Sequence, residues 1–315
     1  MDEGNLLKII SEKYRLKNAG KLIRMEGGER NRVYKISGLD LAVRVYQPTA
    51  PLDGVHFEHK LMSLLSEKMS CVIRPLCFEP NKSFFIWDGR PVSVVPFLYG
   101  KKPTRGDCEN TGFCYEAGKI LGLIHRYAAE KSNELPVLSS RVPVIQMDPF
   151  YNHMYDWEKA CKWLSSTVFS SELPYMKDQL EELWVFIKGL KDMPFIPVHG
   201  DYYKGNLLWN GKHITGVLDF DDSRLEWAVY ETARSLWEFT RNDSLFIFNQ
   251  LQKEAYLQGY ASVFPSFEYD RELYLKIIKL IRLFEIISTA SSMINGDLLG
   301  GWDKEGIDYH WTNLM

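Results

Sequence analysis

The chain has 315 residues, 45% of them hydrophobic and 25% charged; that balance disfavours disorder, and the length fits one bilobal unit or two domains. A formal net charge of -3 gives no support for nucleic acid or an anionic membrane surface as a partner. The opening Met1-Asp2-Glu3-Gly4-Asn5 lacks the basic start and apolar core of a signal peptide, and no stretch approaches the roughly eighteen uncharged apolar residues of a membrane helix, so a cytoplasmic protein is expected.

Residues 26–31, Glu26-Gly27-Gly28-Glu29-Arg30-Asn31, form a turn-rich stretch whose glycines let a backbone approach phosphates, although a Gly-Gly turn also ends ordinary hairpins. A strand (residues 33–36), a turn at Ser37-Gly38 and a second strand (41–46) carrying Arg44 follow. Residues 57–65 repeat apolar side chains at helical spacing, with Glu58 at the start. Further strands are expected at 72–76, 84–87 and 91–100, with a turn at Asp88-Gly89. The breakers and charges of residues 100–107 then suggest a boundary, giving a strand-rich unit over 1–100 and a helical unit over 101–315. Helical patterns lie at 114–128, 156–164, 177–190, 230–240 and 272–293. His125, on the first, reads as a core or boundary histidine, and the helical tryptophans, with Trp302 and Trp311 beyond, read mostly as core. Cys71, Cys77, Cys108, Cys114 and Cys161 form no CxxC pair and have no histidine at zinc spacing, so they read as free thiols.

The strongest chemical signal is His199-Gly200-Asp201, with Asn206 five residues after the aspartate and Asp219 thirteen further on. Residues 207–209 and 214–220 are strand-like, and Asn210-Gly211 between them is a two-residue hairpin signal that would fold Asp219 back beside Asn206. Moving a phosphoryl group takes one carboxylate to orient the acceptor hydroxyl and hard oxygen ligands to hold magnesium against the phosphates. Asp201, Asn206 and Asp219 would supply these; taken singly, His-Gly-Asp is a common tripeptide and Asp-Phe-Asp-Asp an ordinary polar turn.

These motifs, in this order, resemble the catalytic core of the aminoglycoside phosphotransferase superfamily, which includes choline kinases, methylthioribose kinases and the kinase-like homoserine kinases. The resemblance implies an α+β, protein-kinase-like bilobal fold: a small antiparallel-sheet N-lobe over 1–100, hinge included, and a larger, mainly helical C-lobe over 101–315. It places Asp201 at the acceptor hydroxyl and Asn206 and Asp219 on Mg2+. It further implies that ATP lies against Gly27, Gly28 and Asn31, that Arg44 paired with Glu58 meets its phosphates, and that backbone near Pro96, Phe97 and Leu98 meets the adenine. Most members carry lysine where Arg44 stands, which keeps Lys35 as a competitor; Tyr202 replaces a usual leucine, and Glu231 a structural aspartate. Asp221 and Asp222 could face a cationic acceptor or a second ion, or cap the following helix.

The expected activity is ATP-dependent phosphorylation of a hydroxyl on a small molecule of amino acid, amino alcohol, sugar or aminoglycoside type. Gly89-Arg90-Pro91 and the segment after it favour the homoserine-kinase-like branch. The alternative is a catalytically inactive, nucleotide-binding relative that works as a scaffold or coat-associated protein. A small hydroxylated substrate is the expected partner, nucleic acid and membrane are not, and oligomeric state stays open.

Overall fold

The computed structural model describes residues 2–25, 31–150, 156–190, 193–242 and 245–294. Helix α1 (Glu3–Tyr14) opens the chain, capped by the Asp2 carboxylate on the Asn5 N–H and closed by Arg15 in the left-handed region. A five-stranded antiparallel sheet follows: β1 (Leu22–Arg24), β2 (Arg32–Ile36), β3 (Leu41–Val45), β4 (Phe84–Trp87) and β5 (Arg90–Pro96), in spatial order β1-β2-β3-β5-β4. Alternation along the strands turns Tyr34, Ile36, Val43, Val45, Val92 and Val94 inward, where Leu6 and Ile10 of α1 cover them. Asp88 and Gly89 both take positive φ, which closes the β4–β5 hairpin.

Helix α2 (Leu52–Leu65) is inserted between β3 and β4. Its Phe57, Leu61 and Leu65 belong to the larger core, that of the helical part, and Asp53 in its first turn accepts the Ser139 and Ser140 N–H groups at 2.9 and 2.8 Å. The helix thus ties the sheet to the helical part. Residues 72–76, expected as a strand, form no ladder: Pro75 has no N–H to give, and only Leu76 N–H reaches the sheet, at Val94 O.

After Pro96 the chain crosses to the helical part, where Lys101 and Trp209 exchange backbone hydrogen bonds. Seven further helices are described: α3 (Arg105–Cys108), α4 (Thr111–Glu130), α5 (Trp157–Leu164), α6 (Leu173–Gly189), α7 (Ala228–Thr240), α8 (Gln250–Ala261) and α9 (Arg271–Ile294). Between α6 and α7 lie β6 (Phe195–Val198), β7 (Leu207–Trp209), β8 (Ile214–Val217) and β9 (Arg224–Trp227), with β6 paired to β9 and β7 to β8. The β7–β8 connection spans residues 210–213 rather than two residues. Gly211 has φ +91°, and the Asn210 side chain accepts the N–H groups of Lys212 and His213, so the turn closes one step wider.

Helix α8 carries little apolar periodicity, and the sequence pattern does not reveal it. It is held by close backbone approach: a Cβ on Gly118 of α4 would fall on the Tyr256 carbonyl oxygen, and one on Gly259 of α8 on that of Tyr115. Gly259→Ala should therefore lower the unfolding free energy by about 2 kcal/mol or more in urea titrations. Gly189→Ala, where nothing lies within 4 Å, should change it by less than ~0.5 kcal/mol.

Candidate active site

The loop after β6 turns at Gly200, whose φ is +91° and whose missing Cβ leaves room for the Asp222 carbonyl. His199 is fully buried, packs at a tilt against the Phe220 ring and bonds through Nε2 to Leu218 O at 2.9 Å, fastening the loop to the end of β8. From α7, the buried Glu231 carboxylate accepts the N–H groups of His199 (3.1 Å) and Gly200. His125 of α4 meets the same carboxylate through Nε2 at 2.8 Å and the Tyr260 hydroxyl of α8 through Nδ1 at 2.6 Å. Burial works to raise the Glu231 carboxyl, but the His125 bond and the surrounding donors outweigh it and hold it below its ordinary value. The glutamate arm reaches all these donors from α7. His125 is a satisfied core histidine, and Tyr202 is buried with its hydroxyl on Ala117 O at 2.9 Å.

Asp201 follows. Its Oδ2 accepts the Asn206 amide nitrogen at 3.0 Å, and its Oδ1 pairs with Arg234 of α7 at 2.9 Å. The same Asn206 nitrogen reaches Asp201 O at 2.9 Å, which leaves the amide oxygen as the atom with ligand capacity. Across the hairpin, Leu218 N–H donates to Asn206 O at 2.8 Å, bringing Asp219 beside Asn206. Asp219 has φ +64°, and its side chain is 46% exposed and aimed at the sheet lobe.

There the Asp219 carboxylate meets Arg44 of β3 at 2.5 Å. The same guanidinium bonds Glu58 of α2 at 2.8 Å and Asp221 at 3.1 Å, and it lies over the Tyr46 ring. Asn31 donates to Asp221 at 2.7 Å, joining the start of β2 to the turn after Asp219. Asp221 therefore does not cap a helix: the next element is β9, and its carboxylate serves Arg44 and Asn31. Lys35 points elsewhere, to the Tyr99 hydroxyl (3.3 Å) and the face of Phe97. Gly27 and Gly28 lie outside the described residues. At the crossing, Phe97 N–H is engaged by Asp40 O at 2.9 Å and Pro96 has no N–H, so neither offers a donor to a base. Sequence reasoning missed Tyr46, whose hydroxyl supports Glu58 at 3.1 Å, and the contacts of Arg234; the signal for the latter was its position one turn after Glu231.

Burial pushes the Glu58 carboxyl up from 4.5 to about 7 against the pull of Arg44, with Asp221 and Asp219 acting in the same direction as burial. Burial, then Arg44, lowers neighbouring His59 to about 3, so its ring is neutral. A carboxyl whose folded value lies above its unfolded one takes up a proton on folding; its stabilising contribution is full below pH 4.5 and is lost as pH rises through 7. Melting curves from pH 5 to 8 should show this decline in the wild-type chain and a flatter profile in Glu58→Gln. Equal slopes would mean that Glu58 does not titrate in this window.

A family model described as the phosphotransferase enzyme family matches residues 21–272, and the chain belongs to that family. Among its relatives are the homoserine kinases of Rhizobium meliloti, 26% identical over 70% of this chain and 62% of the relative, and of Zymomonas mobilis, 24% identical over 66% and 60%. The chain thus spans about three fifths of the length of these relatives. The fold matches an amicoumacin kinase solved with AMP-PNP and Ca2+ (TM-score 0.69, 17% identity, 99% of this chain and 92% of that one). It also matches a microcompartment-associated aminopropanol kinase (TM-score 0.68, 16% identity, 98% and 94%). The α+β, kinase-like architecture with an antiparallel five-stranded N-lobe is therefore the fold of this chain. Among the described residues no helix is long and apolar enough to cross a membrane.

Proposed function

We propose that the chain is an ATP-dependent kinase that phosphorylates a hydroxyl of a small molecule, with hydroxy amino acids and amino alcohols as the first acceptors to test. The observation that carries this reading is the convergence of Asp201, Asn206 and Asp219 from the helical part with Arg44 and Glu58 from the sheet part. Homoserine kinases among the relatives support the acceptor class. The lobes divide near Gly100 in this reading, and the enzyme works in the cytoplasm.

The donor set suits a divalent cation. Asn206 has an amide oxygen to offer and Asp219 an exposed carboxylate, both hard ligands, and three carboxylates around one guanidinium leave an excess of negative charge. A magnesium ion held there would screen the phosphate oxygens. Asp201 orients the acceptor hydroxyl and takes its proton, Arg44 turns its charge from Asp219 to the phosphates, and Glu58 keeps the guanidinium on the sheet side. The non-catalytic alternative is left without a supporting observation.

ATP consumption should be followed with homoserine, aminopropanol, sugars and aminoglycosides as acceptors. Asp201→Asn should lower kcat about 10³-fold with the nucleotide Kd within about threefold, since it removes the base and leaves the phosphate contacts. Full activity of Asp201→Asn, or no turnover of any acceptor by the wild-type chain, would sink the kinase reading.

A further inference from the structure

On α7, between residues 231 and 240, only Arg234 and Glu238 escape burial, and they lie one turn apart on the face toward Asp201. The Arg234 guanidinium makes two different bonds at once: Nη1 donates to Gly200 O at 3.0 Å and Nη2 pairs with Asp201 Oδ1 at 2.9 Å. Glu231, one turn earlier, takes the His199 and Gly200 N–H groups. Helix α7 thus grips the same loop through its donors with a carboxylate and through its acceptors with a guanidinium.

The geometry points to Arg234 as the positioning residue of Asp201, fixing which carboxylate oxygen meets the acceptor hydroxyl. Oδ1 is held by Arg234 and Oδ2 by Asn206, so rotation of the carboxylate breaks a bond on either side. A planar guanidinium can serve a carbonyl and a carboxylate together, whereas a lysine ammonium on a flexible stem cannot hold both in one geometry. Glu285 of α9 lies 4.0 Å from the same Nη2, so a second carboxylate faces the guanidinium beside Asp201. Arg234 itself touches no reacting atom: it acts through Asp201.

The catalytic part of this inference rests on the kinase reading; the pairing does not. Arg234→Ala should lower kcat about 10²-fold, the scale of a misplaced catalytic group, with the KM for ATP within about threefold and the chain still folded. Arg234→Lys should recover only part of the loss. Guanidinium chloride at millimolar concentration should raise kcat of Arg234→Ala about tenfold and leave the wild-type chain unchanged, a rescue that a merely structural arginine would not show. A folded Arg234→Ala variant with kcat within about threefold of wild type, or with no recovery by guanidinium, overturns the proposal. A double-mutant cycle of Arg234→Met and Asp201→Ala in urea unfolding needs no acceptor: non-additive effects support the pairing, and strict additivity overturns it. An inactive wild-type chain with a positive cycle would refute the kinase reading while upholding the pair.

Discussion

Everything about this site hangs from the buried carboxylate of Glu231. It lies where the loop after β6, α4 and α7 meet, and α8 joins them through Tyr260. A carboxylate taken out of water is tolerated only when hydrogen-bond donors replace the lost solvation. Here the donors are the His199 and Gly200 N–H groups and the His125 ring, so the loop's course is set by the need to satisfy one charge. An ionised carboxylate only accepts, so the His125 Nε2 donates to it, while Nδ1 lies 2.6 Å from the Tyr260 hydroxyl. The close α4–α8 crossing through Gly118 and Gly259 brings His125 and Tyr260 within reach of one another.

A second charge joins the sheet to this loop. Arg44 stands on β3, its guanidinium shared among Glu58 from α2 and Asp219 and Asp221 from the turn after β8. Asn31 reinforces the connection from the start of β2. Because α2 also packs into the larger core and is tied through Asp53 to residues 139 and 140, the sheet is held on more than one side. Arg44 is thus engaged by three carboxylates, with its guanidinium over the face of the Tyr46 ring.

Much of the site was legible because its residues are close in sequence or sit on elements with clear periodicity. Asn206 and Asp219 flank a hairpin whose Asn-Gly turn announces itself, and Arg44 lies on an alternating strand followed by an amphipathic helix bearing Glu58. What escaped depends on backbone approach rather than on patterning. Helix α8 lacks an apolar stripe because glycines and tyrosines, not a hydrophobic face, hold it against α4. The segment at 72–76 has strand composition but a proline where a ladder needs a donor. Asp221 looked like a cap because a local run of carboxylates says nothing about an asparagine 190 positions earlier in the chain.

The sequence by itself determined the chemistry available: which residues carry carboxylate, amide and guanidinium groups, and the strands and helices that space them, since alternation and helical period are local properties. Why glycine stands at position 200 shows only in the folded chain, where φ is +91° and a Cβ would fall on the Asp222 carbonyl oxygen. Only the tertiary structure decided the partners. Arg44 rather than Lys35 faces Glu58, Glu231 reaches loop and helix together, and Arg234 holds Asp201. Each of these choices joins side chains carried by different elements, and a charge left without its partner there would cost free energy.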